Sequence, residues 1–106
     1  MMSPFRSFSL VCLVATAPLV AAAPVLAQDK AAECALQAEM VMAVVAERTG
    51  GASAGDAVGT VQAGLEGDVA KYASVVPAVA DWVYSLPEKQ LGDSVGTSWT
   101  EACMAR

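Results

Sequence analysis

The sequence contains no histidine among its 106 residues. Histidine is the base of the common serine and cysteine nucleophile systems, and it is also the commonest metal ligand in proteins. Its absence excludes the familiar hydrolase triads and removes the usual starting point for a zinc site. We therefore expect a protein that is not an enzyme and has no catalytic residues, no metal and no cofactor.

The sequence also lacks any alternating pattern of apolar and polar residues that would indicate a β-strand. This matters because the serine motif G-x-S-x-G occurs twice, at residues 51–55 and 92–96. That motif indicates a nucleophile only where the serine lies on a sharp turn between a strand and a helix. Without a strand and without a histidine base, neither copy predicts a hydrolase.

Positive charge is scarce, with six Lys and Arg residues against eleven Asp and Glu residues and a net charge of −5. No cluster of basic residues interrupts this acidic balance. A negative protein repels phosphate backbones and anionic lipid headgroups. We therefore expect neither nucleic acid nor an anionic membrane surface as a partner.

The first 27 residues are typical of a secretory signal peptide. Arg6 gives the start a positive charge, residues 10–23 form an apolar run, and Val25-Leu26-Ala27 offers suitable residues at the −3 and −1 positions of a cleavage site. Cleavage after Ala27 is favoured over cleavage after Ala23. The sequence therefore predicts a signal peptide over residues 1–27 and a mature domain over residues 28–106.

Two other interpretations of this segment are disfavoured. A membrane anchor needs roughly 20 predominantly apolar residues, and Pro18 and Pro24 interrupt the run. A lipoprotein would carry its modified cysteine at the end of the apolar run, whereas the run continues beyond Cys12. We expect no stable membrane insertion after cleavage, and the Ala-, Val- and Gly-rich composition favours a bacterial periplasm as the destination.

The predicted mature chain has 79 residues and, without Arg6, a net charge of −6. It retains two cysteines, Cys34 and Cys103, and an even number in an exported chain indicates a disulfide. The bridge would close a loop of about 70 residues. The chain-entropy model predicts that closing such a loop stabilises the fold by roughly 4 kcal/mol. That is close to the whole net stability of about 5 kcal/mol expected for a small domain.

The apolar spacing predicts an all-α fold, a small bundle of about four helices whose first and last members are tied by this disulfide. Asp29 is the expected N-cap of the first helix, residues 50–55 form a flexible connector, and Pro77 should either kink the third helix or open a new one. The expected bounds are about 29–48, 56–65, 68–85 and 87–104.

The first helix carries two apolar stripes. One contains Cys34, and the second consists of Leu36, Met40 and Val44. The second stripe has two explanations: either the helix is central and covered on several sides, or the stripe is a partner-binding surface. The sequence slightly favours the central helix and leaves the partner surface open.

From these patterns we expect a small periplasmic or secreted protein that binds another envelope or secreted protein as an inhibitor, immunity factor or accessory module. A third and disfavoured possibility is an enzyme, and the main alternative is a chaperone that acts under acid or stress conditions. Its eleven carboxylates would be protonated near pH 4 and would loosen so small a bundle. The oligomeric state is left open.

Overall fold

The structure is a computed structural model that describes residues 25–106, so residues 1–24 of the predicted signal peptide lie outside the described part. The described chain is 85% helical and has no β-strand, which confirms the all-α prediction. A 3₁₀ segment, Gly67–Val75, precedes the third helix, and a 3₁₀ turn, Glu88–Gln90, precedes the fourth. The four helices are α1 (Val25–Thr49), α2 (Ala54–Gly64), α3 (Val76–Ser85) and α4 (Asp93–Met104).

No helix in the described range is both long enough and apolar enough to span a membrane.

Helix α1 forms the centre of the bundle. The other three helices and the 3₁₀ segment all pack against it, and α4 makes the most extensive of these contacts. Val41 and Val44 of α1 are completely buried, as are Val76 and Val83 of α3. A broad apolar surface on one long helix is stable in water only when other elements cover it.

The second stripe of α1 belongs largely to this core. Met40 and Val44 are 1% and 0% exposed, and only Leu36 is partly exposed. Neighbouring residues on a helix are separated by about 100°, so Met40 and Val44 adjoin Val41 and Val45 on one wide buried face. Met40 and Val44 are therefore inaccessible to a partner in this fold, and the central-helix interpretation accounts for them.

The first two helices differ from their expected bounds. The described part of α1 is already helical at Val25, so Asp29 lies inside the helix and is not its N-cap. Helix α2 begins at Ala54, two residues before the expected position, because the Ser53 hydroxyl accepts a hydrogen bond from the backbone N–H of Asp56 at 3.2 Å. Ser53 thus caps a helix and has a structural role.

The third predicted helix is divided before Pro77. The 3₁₀ segment covers its first half, and α3 begins at Val76 with Pro77 in its first turn. This is one of the two outcomes expected for Pro77, since proline lacks the N–H that an interior position needs but fits the first turn. Helix α4 begins at Asp93, six residues later than expected, because the backbone is extended at Leu91 and Gly92.

Arg48, near the end of α1, holds the C-terminal end of α3. Its Nη1 atom donates to the carbonyl oxygens of Val83 at 2.5 Å and Leu86 at 2.7 Å, and its guanidinium lies 5.6 Å from the centre of the Tyr84 ring. The Val83 carbonyl also accepts a backbone hydrogen bond from the N–H of Leu86 at 3.3 Å, so Arg48 adds a second donor there, and its positive charge at the end of α3 favours the helix dipole.

The Cys34–Cys103 bridge joins α1 to α4, with a Cα–Cα distance of 5.7 Å, which confirms the predicted disulfide. The two helices also approach closely elsewhere. A Cβ atom added at Gly96 would lie 2.9 Å from Cγ of Met42. The contact between α1 and α4 is therefore fixed in one place by the disulfide. In another place it depends on the small size of Gly96.

We predict that replacing both cysteines, Cys34→Ala with Cys103→Ala, lowers the free energy of unfolding by about 2–5 kcal/mol, because the loop constraint on the unfolded chain is lost. Chemical denaturation followed by circular dichroism measures the change. Reduction of the unmodified protein is the control, and it should produce a loss of similar size. A free thiol at Cys34 or Cys103 in the native protein, or equal stability before and after reduction, would contradict the stapled bundle.

Candidate binding groove

Helices α3 and α4 both lie on α1 but scarcely contact each other. One tryptophan from each helix partly fills the space between them. The ring centres of Trp82 and Trp99 are 5.7 Å apart and the ring planes are tilted by 47°, an arrangement that aromatic pairs favour. Both side chains pack against the core and remain partly exposed.

Two open cavities of about 340 and 390 Å³ adjoin at these rings and share Trp82 and Ser98. We call the combined surface the tryptophan groove. It is lined by Trp82, Leu86, Lys89, Gln90, Ser94, Val95, Ser98, Trp99, Ala102 and Arg106.

The groove is open because α4 presents small side chains to it. Ser94, Ser98 and Ala102 follow one another at four-residue intervals and are all exposed. They therefore form one row along about 12 Å of the helix. Side chains of this size do not cover the indole rings, which remain accessible.

Trp99 is held by a hydrogen bond at one edge of its ring and by a cation over the face of the ring. Its Nε1–H donates to Oε1 of Gln37 on α1 at 3.0 Å, and the Arg106 guanidinium lies 5.9 Å from a ring centre. Lys30 on α1 donates to the backbone carbonyl of Arg106, which holds the residue beyond α4 close to α1. These contacts fix the orientation of the Trp99 ring at the groove.

The aromatic residues between positions 25 and 106 lie outside the fully buried core. That core contains only valine, alanine, methionine and cysteine, whereas Tyr72, Trp82, Tyr84 and Trp99 are partly buried around it. None of the described residues is a buried polar or charged side chain. The chemistry of the groove therefore consists of aromatic surface with peripheral polar groups.

The charge of the groove differs from that of the whole chain. Of the cations in the described range, Arg48 caps α3, Lys30 holds the Arg106 carbonyl, and Lys71 is paired with a carboxylate. The remaining two, Lys89 and Arg106, both line the tryptophan groove, and no Asp or Glu side chain lines it. The groove is a locally positive surface on an acidic protein.

The partner of Lys71 is Glu33, and these residues with Tyr72 form a clasp between α1 and the 3₁₀ segment. Lys71 Nζ lies 2.7 Å from Glu33 Oε1, and the Tyr72 hydroxyl donates to the other carboxylate oxygen. The hydrogen bond from Lys71, and then the one from Tyr72, lower the pKa of Glu33 below its ordinary value of 4.5. The same bond raises the pKa of Lys71.

Tyr72 connects this clasp to the groove. It lines a third cavity of about 200 Å³ on the other side of Trp99, together with Gln37, Met40, Val75 and Arg106. Val75, the residue that immediately precedes α3, is 42% exposed. Exposed apolar surface therefore continues past Trp99.

The structure places the residues singled out from the sequence in different roles. Cys34 and Cys103 meet in the disulfide, while Met40 and Val44 enter the core. The tryptophan groove was not predicted, because Trp82 and Trp99 both fit apolar stripes typical of core residues. The sequence feature that could have indicated the groove was the row of small residues beside Trp99, because small side chains cannot bury an indole ring.

No protein-family model matches this chain, and neither a curated protein nor a solved structure is significantly similar to it.

The clasp generates a prediction for pH dependence. Because the pKa of Glu33 is lowered in the folded state, the clasp stabilises the fold above the ordinary glutamate pKa and loses this contribution as the pH falls through the lowered value. Glu33→Gln should therefore reduce the unfolding free energy near neutral pH and flatten its decline below about pH 4.5. Urea denaturation from pH 7 to pH 2.5 measures this.

Glu39→Gln is the matched control, since Glu39 is exposed on α1 and takes no part in the clasp. It should leave the wild-type profile nearly unchanged. Identical acid profiles for Glu33→Gln and the wild type would show that the clasp does not contribute to acid sensitivity.

Proposed function

We propose that this chain is an exported, non-enzymatic binding protein that contacts another envelope or secreted protein through the tryptophan groove. In this proposal the partner-binding surface lies on α3 and α4, and no longer on the second stripe of α1. Its role would be that of an inhibitor, immunity factor or envelope accessory module.

The observation that carries this proposal is the location of the two tryptophans. They are the only tryptophans in the chain, and both lie partly exposed in one groove instead of in the core. A tryptophan removes up to about 250 Å² of surface from water when it is buried. Two tryptophans that stay partly exposed leave part of this surface in contact with water in the folded monomer. Burying that surface against a partner would stabilise the complex.

The composition of the groove favours a protein over a small molecule. Tryptophan, tyrosine and arginine are the residues that most often dominate protein–protein binding energy, and Trp82, Trp99 and Arg106 lie together here. Small-molecule sites usually enclose their ligand and fix its orientation with a few precisely placed polar groups. The groove is open, and its polar side chains lie at the surface.

Export is the second part of the proposal. The formed Cys34–Cys103 bridge suits an oxidising compartment such as the periplasm, and residues 1–27 have the order of a signal peptide. Cleavage after Ala27 would remove three residues from the start of α1. It would leave the contacts described above in place, because the first of them involves Lys30.

The Glu33 clasp supports a second candidate function, an acid-conditional chaperone. Protonation of Glu33 would release Lys71 and Tyr72, which hold the 3₁₀ segment to α1. That segment also packs against α2 and α3, so its release would uncover apolar surface. The groove is open without acid, and we therefore place binding at neutral pH first.

Site-specific photo-crosslinking in the cells that export the protein tests the binding function. A photoreactive residue at Gln90, on the edge of the groove, should form one defined adduct with a partner in the periplasmic fraction. Introducing Ser98→Glu in the same chain should abolish the adduct, because a charged side chain would fill the space above the indoles. Circular dichroism establishes that this exposed substitution leaves the fold intact.

Thr97 provides the control position. It is exposed on α4 but lines neither cavity of the groove, so a photoreactive residue there should give no such adduct. The proposal fails if Gln90 gives no adduct. It also fails if the Gln90 adduct persists with Ser98→Glu or forms equally from Thr97.

A further inference from the structure

We infer that the segment recognised by the tryptophan groove is an amphipathic helix of another protein with an acidic residue near each end. This inference rests on the proposed function and adds the chemistry of the partner to it. Three features of the groove lead to it: the placement of its cations, the absence of Asp and Glu side chains from its lining, and its shape.

The cations lie beyond opposite ends of α4. Lys89 belongs to the 3₁₀ turn before Asp93, and Arg106 follows Met104. The twelve residues of α4 correspond to about 18 Å, so the backbone positions of these two residues, which flank the helix, are about that far apart along the groove. Carboxylates about 12 residues apart on a partner helix would have the same separation.

The acidity of the protein makes this placement selective. The predicted mature chain has a net charge of −6, so an acidic partner is repelled by most of the surface. This repulsion is weakest at the groove, which is lined by two cationic side chains and by no Asp or Glu side chain. Opposite charges at the rim of an interface set its register and exclude wrong orientations.

The shape of the groove favours a helix as the occupant. Helices α3 and α4 form its two sides, and the row of Ser94, Ser98 and Ala102 allows close approach along α4. A third helix between them would pack its side-chain ridges against this row. Its apolar residues at positions i, i+3 or i+4, and i+7 would contact Trp82 and Trp99, as in other helix-in-groove complexes.

Selection from a random peptide library on phage, with the oxidised mature protein as bait, tests this inference without assuming a partner. Peptides of about 16 residues are long enough to reach both cations in helical form. We expect the selected sequences to combine helical apolar spacing with Asp or Glu near both ends. A synthetic copy should quench or shift the fluorescence of the tryptophans and lose binding to Ser98→Glu.

Charge is tested by the double substitution Lys89→Gln with Arg106→Gln. It should weaken binding of the acidic peptide by between about 3-fold and 10-fold at low salt, as expected for two exposed ion pairs, and high salt should remove the difference. The matched control is Thr60→Glu with Ala63→Glu on α2, which changes the net charge by the same −2 at exposed positions outside the groove.

Reversing the charges separates an electrostatic effect of these substitutions from a structural effect on Trp99. A peptide with lysine in place of its acidic residues should bind Lys89→Glu with Arg106→Glu better than it binds the wild type. The inference is overturned if no peptides are selected, if they lack acidic ends, or if the α2 control weakens binding equally. If a Gln90 adduct nevertheless forms in cells and disappears with Ser98→Glu, the binding function stands and only the partner chemistry is wrong.

Discussion

The contact between α1 and α4, closed by the Cys34–Cys103 bridge, is the constraint on which the rest of the structure depends. The described residues form a small core, and chain entropy predicts that the bridge contributes a stabilisation comparable to the net stability expected of a small domain. The bridge also places α4 along one side of α1 while Arg48 holds α3 along another. Because each helix is fixed to α1 independently, α3 and α4 need few contacts with each other beyond the Trp82–Trp99 pair.

The tryptophan groove follows from that arrangement. The core between the helices is filled by valines and by Met40, so the indoles of Trp82 and Trp99 lie above it and form the floor of the groove. Gln37 fixes the edge of one ring, and the small residues of α4 leave both rings uncovered. Lys89 and Arg106 then give a positive border to an acidic protein, which is suited to an acidic helix.

Much of the fold was predictable from the sequence. Helical apolar spacing and prolines act on the local chain, and two cysteines allow only one intramolecular pairing. The break before Pro77 and the joining of the terminal helices are examples. The start of α4 was not predictable, since the extended backbone at Leu91 and Gly92 depends on packing. The groove was missed for a similar reason: spacing identifies the apolar face of each helix but not how far apart two such faces lie.

The most direct test of this account is nuclear Overhauser spectroscopy between the two indole rings. In the oxidised protein, Trp82 and Trp99 should give cross-peaks, because their ring centres are 5.7 Å apart. After reduction these cross-peaks should weaken or vanish, while contacts between Arg48 and the end of α3 persist. Absence of the cross-peaks in the oxidised protein, or their full retention after reduction, would contradict a groove maintained by the tie between α1 and α4.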